Sequence, residues 1–193
     1  MTGTAWFSEF ELTELGEAPA QPPNVAQHPA DPKTSPQASG GGGEAGTLVK
    51  TYRNSLVFVN GTNGAGSGFI ASMAGANFLV TNAHVAAGVR GAAFKTLDGA
   101  QVQGGAAFVA IGHDIFSMQL AAGGKPFQVM QGVDENASID DEIVVIGNAE
   151  GAGVINPIKG KIVGIGPNLV EVDAAFVPGN SGSPIIFTSR AEK

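Results

Sequence analysis

Three short stretches of the chain carry side chains that could do chemistry together. His84 lies in residues 81–85 (TNAHV), Asp114 in residues 113–116 (HDIF), and Ser181 in residues 178–184 (PGNSGSP). Acyl transfer by a serine hydroxyl needs a base that removes its proton, an acid that orients the base, and donors that stabilise the oxyanion. Each residue alone is more often structural, and a glycine-flanked serine is also typical of a turn. Together, in the order His, Asp, Ser, they predict a catalytic triad.

The elements that must position these residues are mostly strands. From residue 47 onward, short runs rich in Val, Ile and Phe alternate with Gly and Asn, a pattern typical of strands joined by tight turns. The sequence predicts one helical turn over residues 85–89 and strands over residues 56–60, 68–72, 77–81, 92–95, 101–110, 115–120, 142–146, 160–165, 169–172 and 184–187. Many short strands at close spacing indicate an all-β fold, either a barrel or a sandwich.

Composition excludes several classes of function. The net charge of −7 and the absence of any Lys or Arg run argue against a nucleic-acid partner. There is no cysteine, which removes disulfides, thiolate metal sites and a cysteine nucleophile. No apolar run approaches the roughly 20 residues that span a bilayer, and no signal peptide is visible. His and carboxylate residues nowhere show metal-ligand spacing, so we predict no metal and no cofactor.

The first part of the chain differs from the rest in composition. Residues 17–47 are rich in Pro, Ala, Ser and Gly and predict a flexible linker. Residues 1–16 form a tail with an apolar cluster made of Trp6, Phe7, Phe10, Leu12 and Leu15. This tail is either disordered or a segment that docks on the folded domain, filling a groove or completing a sheet edge. Residues 48–193 form the predicted folded domain.

With these motifs in place, the chain resembles trypsin-like serine peptidases, and most closely the bacterial HtrA/DegP-like branch. The resemblance covers residues 49–187 and its motifs occur in the family's order. They are residues 66–70 (GSGFI), 81–85 (TNAHV), 114–115 (DI), 147–148 (GN), 160–163 (GKIV), 172–175 (VDAA) and 178–184 (PGNSGSP). The resemblance implies two six-stranded β-barrels of the chymotrypsin fold, the first near residues 48–125 and the second over residues 126–193.

The resemblance also implies a role for each site residue. Ser181 would be the nucleophile, His84 the general base and then the general acid, and Asp114 the residue that orients His84. The backbone N–H groups of Gly179 and Ser181 would form the oxyanion hole. Ala175 stands where the family places the base of the substrate pocket, so a small or medium apolar P1 residue is expected. The expected substrate is a polypeptide, and the family favours an extracytoplasmic bacterial location.

The chain departs from the family's pattern after residue 187, where further strands would complete the second barrel. We therefore expect that barrel to be truncated at its C-terminal end, with an open edge that could exchange a strand or form a dimer. Two other functions stay open: a non-catalytic, protease-like module that binds peptides, and a latent zymogen held inactive by its N-terminal segment.

Rival readings of the same residues are weaker. The α/β-hydrolases place their serine in a G-x-S-x-G turn, with a His later in the chain. Here Ser183 occupies the position of the last glycine, and no His follows Ser181. His113 adjoins Asp114, but neighbouring residues of a strand face opposite sides, so we expect His113 at the surface or behind the site. Residues 64–68 (GAGSG) lack the G-K-[ST] ending of a phosphate loop and predict a turn.

Overall fold

The structure is a computed structural model that describes residues 43–121, 125–167 and 169–188, together with the backbone of residues 4–6 and 12–14. Its helices are α1 (Glu44–Thr51), α2 (Ala83–Gly88) and α3 (Val133–Asn136), and a 3-10 turn spans Ala149–Gly151. The strands are β1 (Thr4–Trp6), β2 (Leu12–Glu14), β3 (Leu56–Asn60), β4 (Ala65–Met73), β5 (Ala76–Thr81), β6 (Ala93–Thr96), β7 (Ala107–Ala110), β8 (Phe116–Leu120), β9 (Phe127–Met130), β10 (Glu142–Asn148), β11 (Ile155–Ile165), β12 (Val170–Val172) and β13 (Ile185–Phe187). The predicted all-β class is confirmed.

The larger sheet has the strand order β1-β9-β4-β5-β8-β7-β2, and β3 pairs with both β4 and β6. Strands β3 to β8 pair antiparallel, whereas β9 runs parallel to both β1 and β4. Ala74 and Gly75, both with positive φ, form the tight turn between β4 and β5. Two consecutive positive-φ residues match the right-handed twist of a hairpin, which fixes the β4–β5 register.

The smaller sheet has the order β12-β11-β10-β13, with every pair antiparallel. Its strand β10 is buried on both faces. Val144 and Ile146 belong to a core cluster shared with the larger sheet, whereas Ile143 and Val145 belong to the core of the smaller sheet. Because side chains alternate across a strand, β10 joins the two cores into one packed interior.

Helix α1 covers one end of the shared core. Ala45 and Leu48 are buried in it, one turn apart on the same helix face. Tyr52, which follows the helix, stacks on Phe127 of β9. The helix therefore belongs to the folded body, although its first residues fall within the stretch of the sequence predicted as linker.

The N-terminal segment contributes two short strands to the larger sheet. β1 pairs with β9 and also lies against β13, and β2 pairs with β7. The other parts of the predicted tail and linker, namely Phe7, Phe10, Leu15 and residues 17–42, lie outside the described residues. Among the helices that the structure describes, none is both long and apolar enough to cross a membrane.

Candidate active site

Strand pairing brings His84 and Asp114 together. β5 and β8 are antiparallel neighbours, with Thr81 at the end of β5 opposite Phe116 at the start of β8. His84 follows Thr81 by three residues, in the first turn of α2, and Asp114 precedes Phe116 by two. Both side chains therefore emerge at the same end of the same strand pair, and the register of β5 on β8 decides their distance.

A set of hydrogen bonds ties Asp114 to the start of α2. The Nδ1 of His84 bonds to Oδ2 of Asp114, and the backbone N–H of His84 donates to Oδ1 at 2.8 Å. The backbone carbonyl of Asp114 accepts from Nδ2 of Asn82 at 2.8 Å and from the N–H of Ala83 at 3.3 Å. Because both the carboxylate and the backbone are held, the imidazole and the carboxylate have a fixed relative orientation.

The hydrogen bond also assigns the imidazole tautomer. An ionised carboxylate only accepts hydrogen bonds, so Nδ1 of His84 carries the proton and Nε2 of the neutral ring is left as an acceptor. The side chains of His84 and Asp114 are 55% and 48% exposed, so solvent reaches both partners. Chemically, the pair can remove a proton from a group placed next to Nε2.

Ser181 lies in the loop between β12 and β13, flanked by two glycines in left-handed conformations. Gly179 has φ +92° and Gly182 has φ +84°. A Cβ added at Gly179 would lie 2.1 Å from the carbonyl oxygen of Asn148, and one at Gly182 would lie 2.1 Å from that of Ser67. The loop therefore requires glycine at both positions, for conformation and for space.

The same loop packs beside α2 through Gly66 of β4. A Cβ added at Gly66 would lie 2.7 Å from Cγ1 of Val85, the neighbour of His84, and 3.4 Å from the carbonyl oxygen of Ser181. Ser181 and His84 are thus held on adjacent segments. In the described part of the chain, however, no hydrogen bond joins the Ser181 hydroxyl to His84.

A pocket of about 140 Å³ opens beside these residues. Its wall includes Ile115 and Gly182, which directly follow Asp114 and Ser181, and Asn82, two residues before His84. The other lining residues are mainly apolar: Phe69, Val80, Thr81, Ser183, Pro184 and Ile185. The pocket is a cleft between the larger sheet and the segment that follows Ser181, and none of His84, Asp114 and Ser181 lines it.

Two other residues that the sequence singled out, Ala175 and His113, take no part in this hydrogen-bonded group. Ala175 is exposed and follows the buried Ala174, and His113 is half-buried next to Asp114. No three His, Asp or Glu side chains cluster closely enough to hold a metal ion within the described ranges.

Sequence reasoning missed three residues that hold the site. They are Asn82, whose side chain bonds to Asp114, Ser67, whose hydroxyl bonds to the carbonyl of Gly179, and Glu150, whose N–H bonds to the carbonyl of Pro178. Asn82 and Ser67 lie within motifs named above, residues 81–85 and 66–70, so the sequence carried a signal for both. Glu150 has no sequence signal, because only its backbone takes part.

The family model described as "Trypsin-like peptidase domain" matches residues 66–190, more than half of the chain. No curated protein matches the sequence.

Solved structures share the fold at low sequence identity. A serine endoprotease from Yersinia pestis superposes with a TM-score of 0.58 at 22% identity, covering 75% of this chain and 54% of its own. This chain therefore spans about half the length of that protein. The Rv3671c protein of M. tuberculosis H37Rv, as an inactive serine-to-alanine mutant, gives a TM-score of 0.57 at 21% identity, covering 80% of this chain and 78% of its own. A further inactive form of the Rv3671c protease gives 0.54 at 22% identity, covering 72% and 75%.

These similarities confirm the predicted chymotrypsin-type fold, and the resemblance to trypsin-like serine peptidases is confirmed with it. On the match over residues 66–190, the chain belongs to the trypsin-like peptidase domain family.

Proposed function

We propose that this chain is a serine endopeptidase that cleaves peptide bonds through an acyl-enzyme, with Ser181, His84 and Asp114 as its triad. The observation that carries the proposal is the hydrogen bond between Nδ1 of His84 and Oδ2 of Asp114. It leaves Nε2 unprotonated in the neutral ring, which is the state that a general base requires. Family membership supplies the reaction class, and the pairing of β5 with β8 supplies the geometry.

In the first half of the reaction, Oγ of Ser181 forms a bond to the carbonyl carbon of the scissile peptide. Its proton passes to Nε2 of His84, and the carbonyl π electrons move onto the oxygen. When the tetrahedral intermediate collapses, the C–N bond breaks and His84 returns the proton to the leaving amine. Asp114 keeps its negative charge throughout and stabilises the imidazolium.

In the second half, water replaces the amine. His84 takes one proton from the water as the hydroxide oxygen bonds to the acyl carbon, and the ester bond to Ser181 breaks. The proton then returns to Oγ of Ser181, which releases the acid product and restores the starting state. In both halves, the N–H groups of Gly179 and Ser181 would donate to the oxyanion.

The substrate proposal rests on fewer observations. An apolar side chain at Ala175 offers no partner for a Lys or Arg side chain, which favours a small or medium apolar P1 residue. The cleft beside Asn82, Ile115 and Gly182 is also mainly apolar. A polypeptide substrate with Ala or Val at P1 is the form that these residues support.

The test is labelling with a fluorophosphonate probe, which reacts only with an activated serine. We expect wild-type protein to label and Ser181→Ala not to label. Ser138→Ala is the matched control, because this exposed serine lies in the turn before β10 and contacts no site residue. Labelling that persists in folded Ser181→Ala would show that the reactive residue lies elsewhere and would overturn the assignment.

One observation favours a second candidate, a protease-like module that binds peptides without cleaving them. Within the described residues, the Ser181 hydroxyl makes no hydrogen bond to His84, which leaves the nucleophile without its base in this conformation. Such contacts are often long in unliganded enzymes and shorten when substrate binds. Folded wild-type protein that never labels would favour the binding module.

A further inference from the structure

Ser67, the third residue of β4, is a buried polar residue where an apolar side chain would be expected. It is 2% exposed and is flanked by Gly66 and Gly68. Burying a hydroxyl without hydrogen-bond partners is unfavourable, so its hydrogen bonds must account for its presence. It lies 112 residues from Gly179, and the two meet only in the folded protein.

Every polar group of Ser67 is engaged, and two of the four contacts reach the segment around the nucleophile, at Gly179 and Ser181. Its hydroxyl donates to the carbonyl of Gly179 at 2.7 Å and accepts from the N–H of Asn148 at 2.8 Å. Its backbone N–H donates to the carbonyl of Ser181 at 2.9 Å. Its own carbonyl accepts from Oγ1 of Thr81 at 2.6 Å, the residue at the end of β5.

These bonds complete a pattern in which every carbonyl from 178 to 181 has a donor. Ser67 holds the carbonyls of Gly179 and Ser181. The N–H of Glu150 holds that of Pro178 at 2.6 Å, and the N–H of Ser183 holds that of Asn180 at 2.9 Å. The N–H groups of Gly179 and Ser181 have no acceptor among the described residues.

Because trans peptides are planar, the hydrogen bonds to the carbonyls also fix the directions of the N–H groups. In a trans peptide the C=O and the N–H point to opposite sides. The N–H of Gly179 therefore points away from Glu150, which binds the carbonyl of Pro178. In the same way, the N–H of Ser181 points away from Ser183, which binds the carbonyl of Asn180. The bonds from Ser67 hold the two peptides that follow, the one between residues 179 and 180 and the one between residues 181 and 182. With the peptides on both sides fixed, neither N–H can rotate without breaking a hydrogen bond.

We propose that Ser67 is a positioning residue that preforms the oxyanion hole: its hydroxyl holds the carbonyl of Gly179, and its backbone N–H holds that of Ser181. The proposal rests on the proposed peptidase function, and it adds a residue and a mechanism that the triad does not include. Gly147 leaves room for this arrangement, because a Cβ there would lie 2.8 Å from Oγ of Ser67 and 1.9 Å from Oγ of Ser183. The hydroxyl of Ser67 is buried and bonded to Gly179 and Asn148, so its role is to position the loop and not to bind substrate.

The experiment measures fluorophosphonate labelling as two quantities, the reversible binding constant KI and the rate constant of phosphonylation. In that step Oγ of Ser181 bonds to phosphorus, fluoride leaves, and the proton passes to His84, while the phosphonyl oxygen occupies the hole. We expect Ser67→Ala to lower the rate constant by about 10-fold to 100-fold, below the loss of about 10²–10³ for a deleted donor. KI should change by less than about threefold, because binding precedes use of the hole.

Ser117→Ala is the matched control. Ser117 is also buried at 1% exposure in the same sheet, but its hydroxyl has no hydrogen-bond partner in the described part of the chain. We expect this variant to label like wild type. If Ser67→Ala does not fold, Ser67→Cys replaces it, because a thiol nearly preserves the volume but is a weak donor. A rate constant equal to wild type in a folded Ser67 variant would overturn the proposal.

A crystal structure of the Ser67 variant separates the two proposals. If wild-type protein does not label, the proposed peptidase function is wrong. The conformation of residues 178–181 in the Ser67 variant still decides whether Ser67 positions the loop. A loop over 178–181 that keeps its carbonyl directions without the hydroxyl would refute the positioning role. A rotated peptide at Gly179, whose carbonyl is the one that the hydroxyl holds, would support it, whatever the activity.

Discussion

The hydrogen bond between His84 and Asp114 makes a prediction about protonation. In Asp114→Asn, the amide that replaces the carboxylate can donate to Nδ1, which moves the ring proton to Nε2. A protonated Nε2 cannot accept the proton of Ser181, so we expect the rate of fluorophosphonate labelling to fall by about 10⁴-fold, as when a triad aspartate is replaced by asparagine. The measurement is the labelling rate at neutral pH, on protein whose melting temperature is recorded alongside.

Asp140→Asn provides the control for that change. Asp140 is an exposed carboxylate that pairs with Lys161 at 3.7 Å, and its positive φ is a conformation that Asn accepts readily. Its labelling rate should equal that of wild type. If Asp114→Asn and Asp140→Asn label at the same rate, Asp114 does not orient the base.

Among the elements, β1 and β9 carry the next prediction. β9 pairs with β1 across residues Gln128 to Met130, and the deletion of residues 1–42 removes that partner together with β2. Backbone N–H groups that lose their acceptors exchange faster with solvent. We expect hydrogen exchange to accelerate in β9 and in its counterpart β7.

The internal reference for that experiment is β10, which lies between β11 and β13 and pairs with neither N-terminal strand. Its protection should stay unchanged after the deletion. Equal exchange in β9 and β7 before and after the deletion would contradict the pairing of the N-terminal strands.

Local pattern was sufficient for most strands. Residues 56–60 form β3 as predicted, and residues 77–81 form most of β5, because β-branched and aromatic residues alternate there between turn residues. Over residues 101–110, only the last four form β7. A Cβ at Gly104 would lie 2.4 Å from Cγ of Met118, so the chain there follows a close tertiary contact, which local pattern does not reveal.

The candidate site was likewise only partly predictable from local sequence. The motifs around His84 and Asp114 were visible because each residue keeps its sequence neighbours, and the structure brings that pair together. The role proposed for Ser67 could not be predicted, since it depends on two residues 112 positions apart. Helix α1 was missed for a related reason: its short apolar face, Ala45 and Leu48, gains meaning only against a core built from later strands.

At the scale of the whole molecule, net charge and the edge of the smaller sheet both affect association between molecules. β12 ends the smaller sheet and pairs only with β11 among the described strands. Beside it, Leu169 is 68% exposed and Val163 is 47% exposed, and Glu171 is the charged residue within the strand. A short edge with one carboxylate is a surface on which two molecules could meet.

This edge has a consequence for colloidal behaviour. At neutral pH the net charge of −7 makes molecules repel one another, and that repulsion vanishes near the isoelectric point of about 4.8. Over the same interval the repulsion between molecules weakens, while the exposed apolar area at this edge is unchanged. Static light scattering should therefore show the strongest attraction between molecules near pH 4.8, and Leu169→Lys should reduce it. A protein whose β12 edge is inert would scatter alike with and without that substitution, once both are compared at equal distance from their isoelectric points.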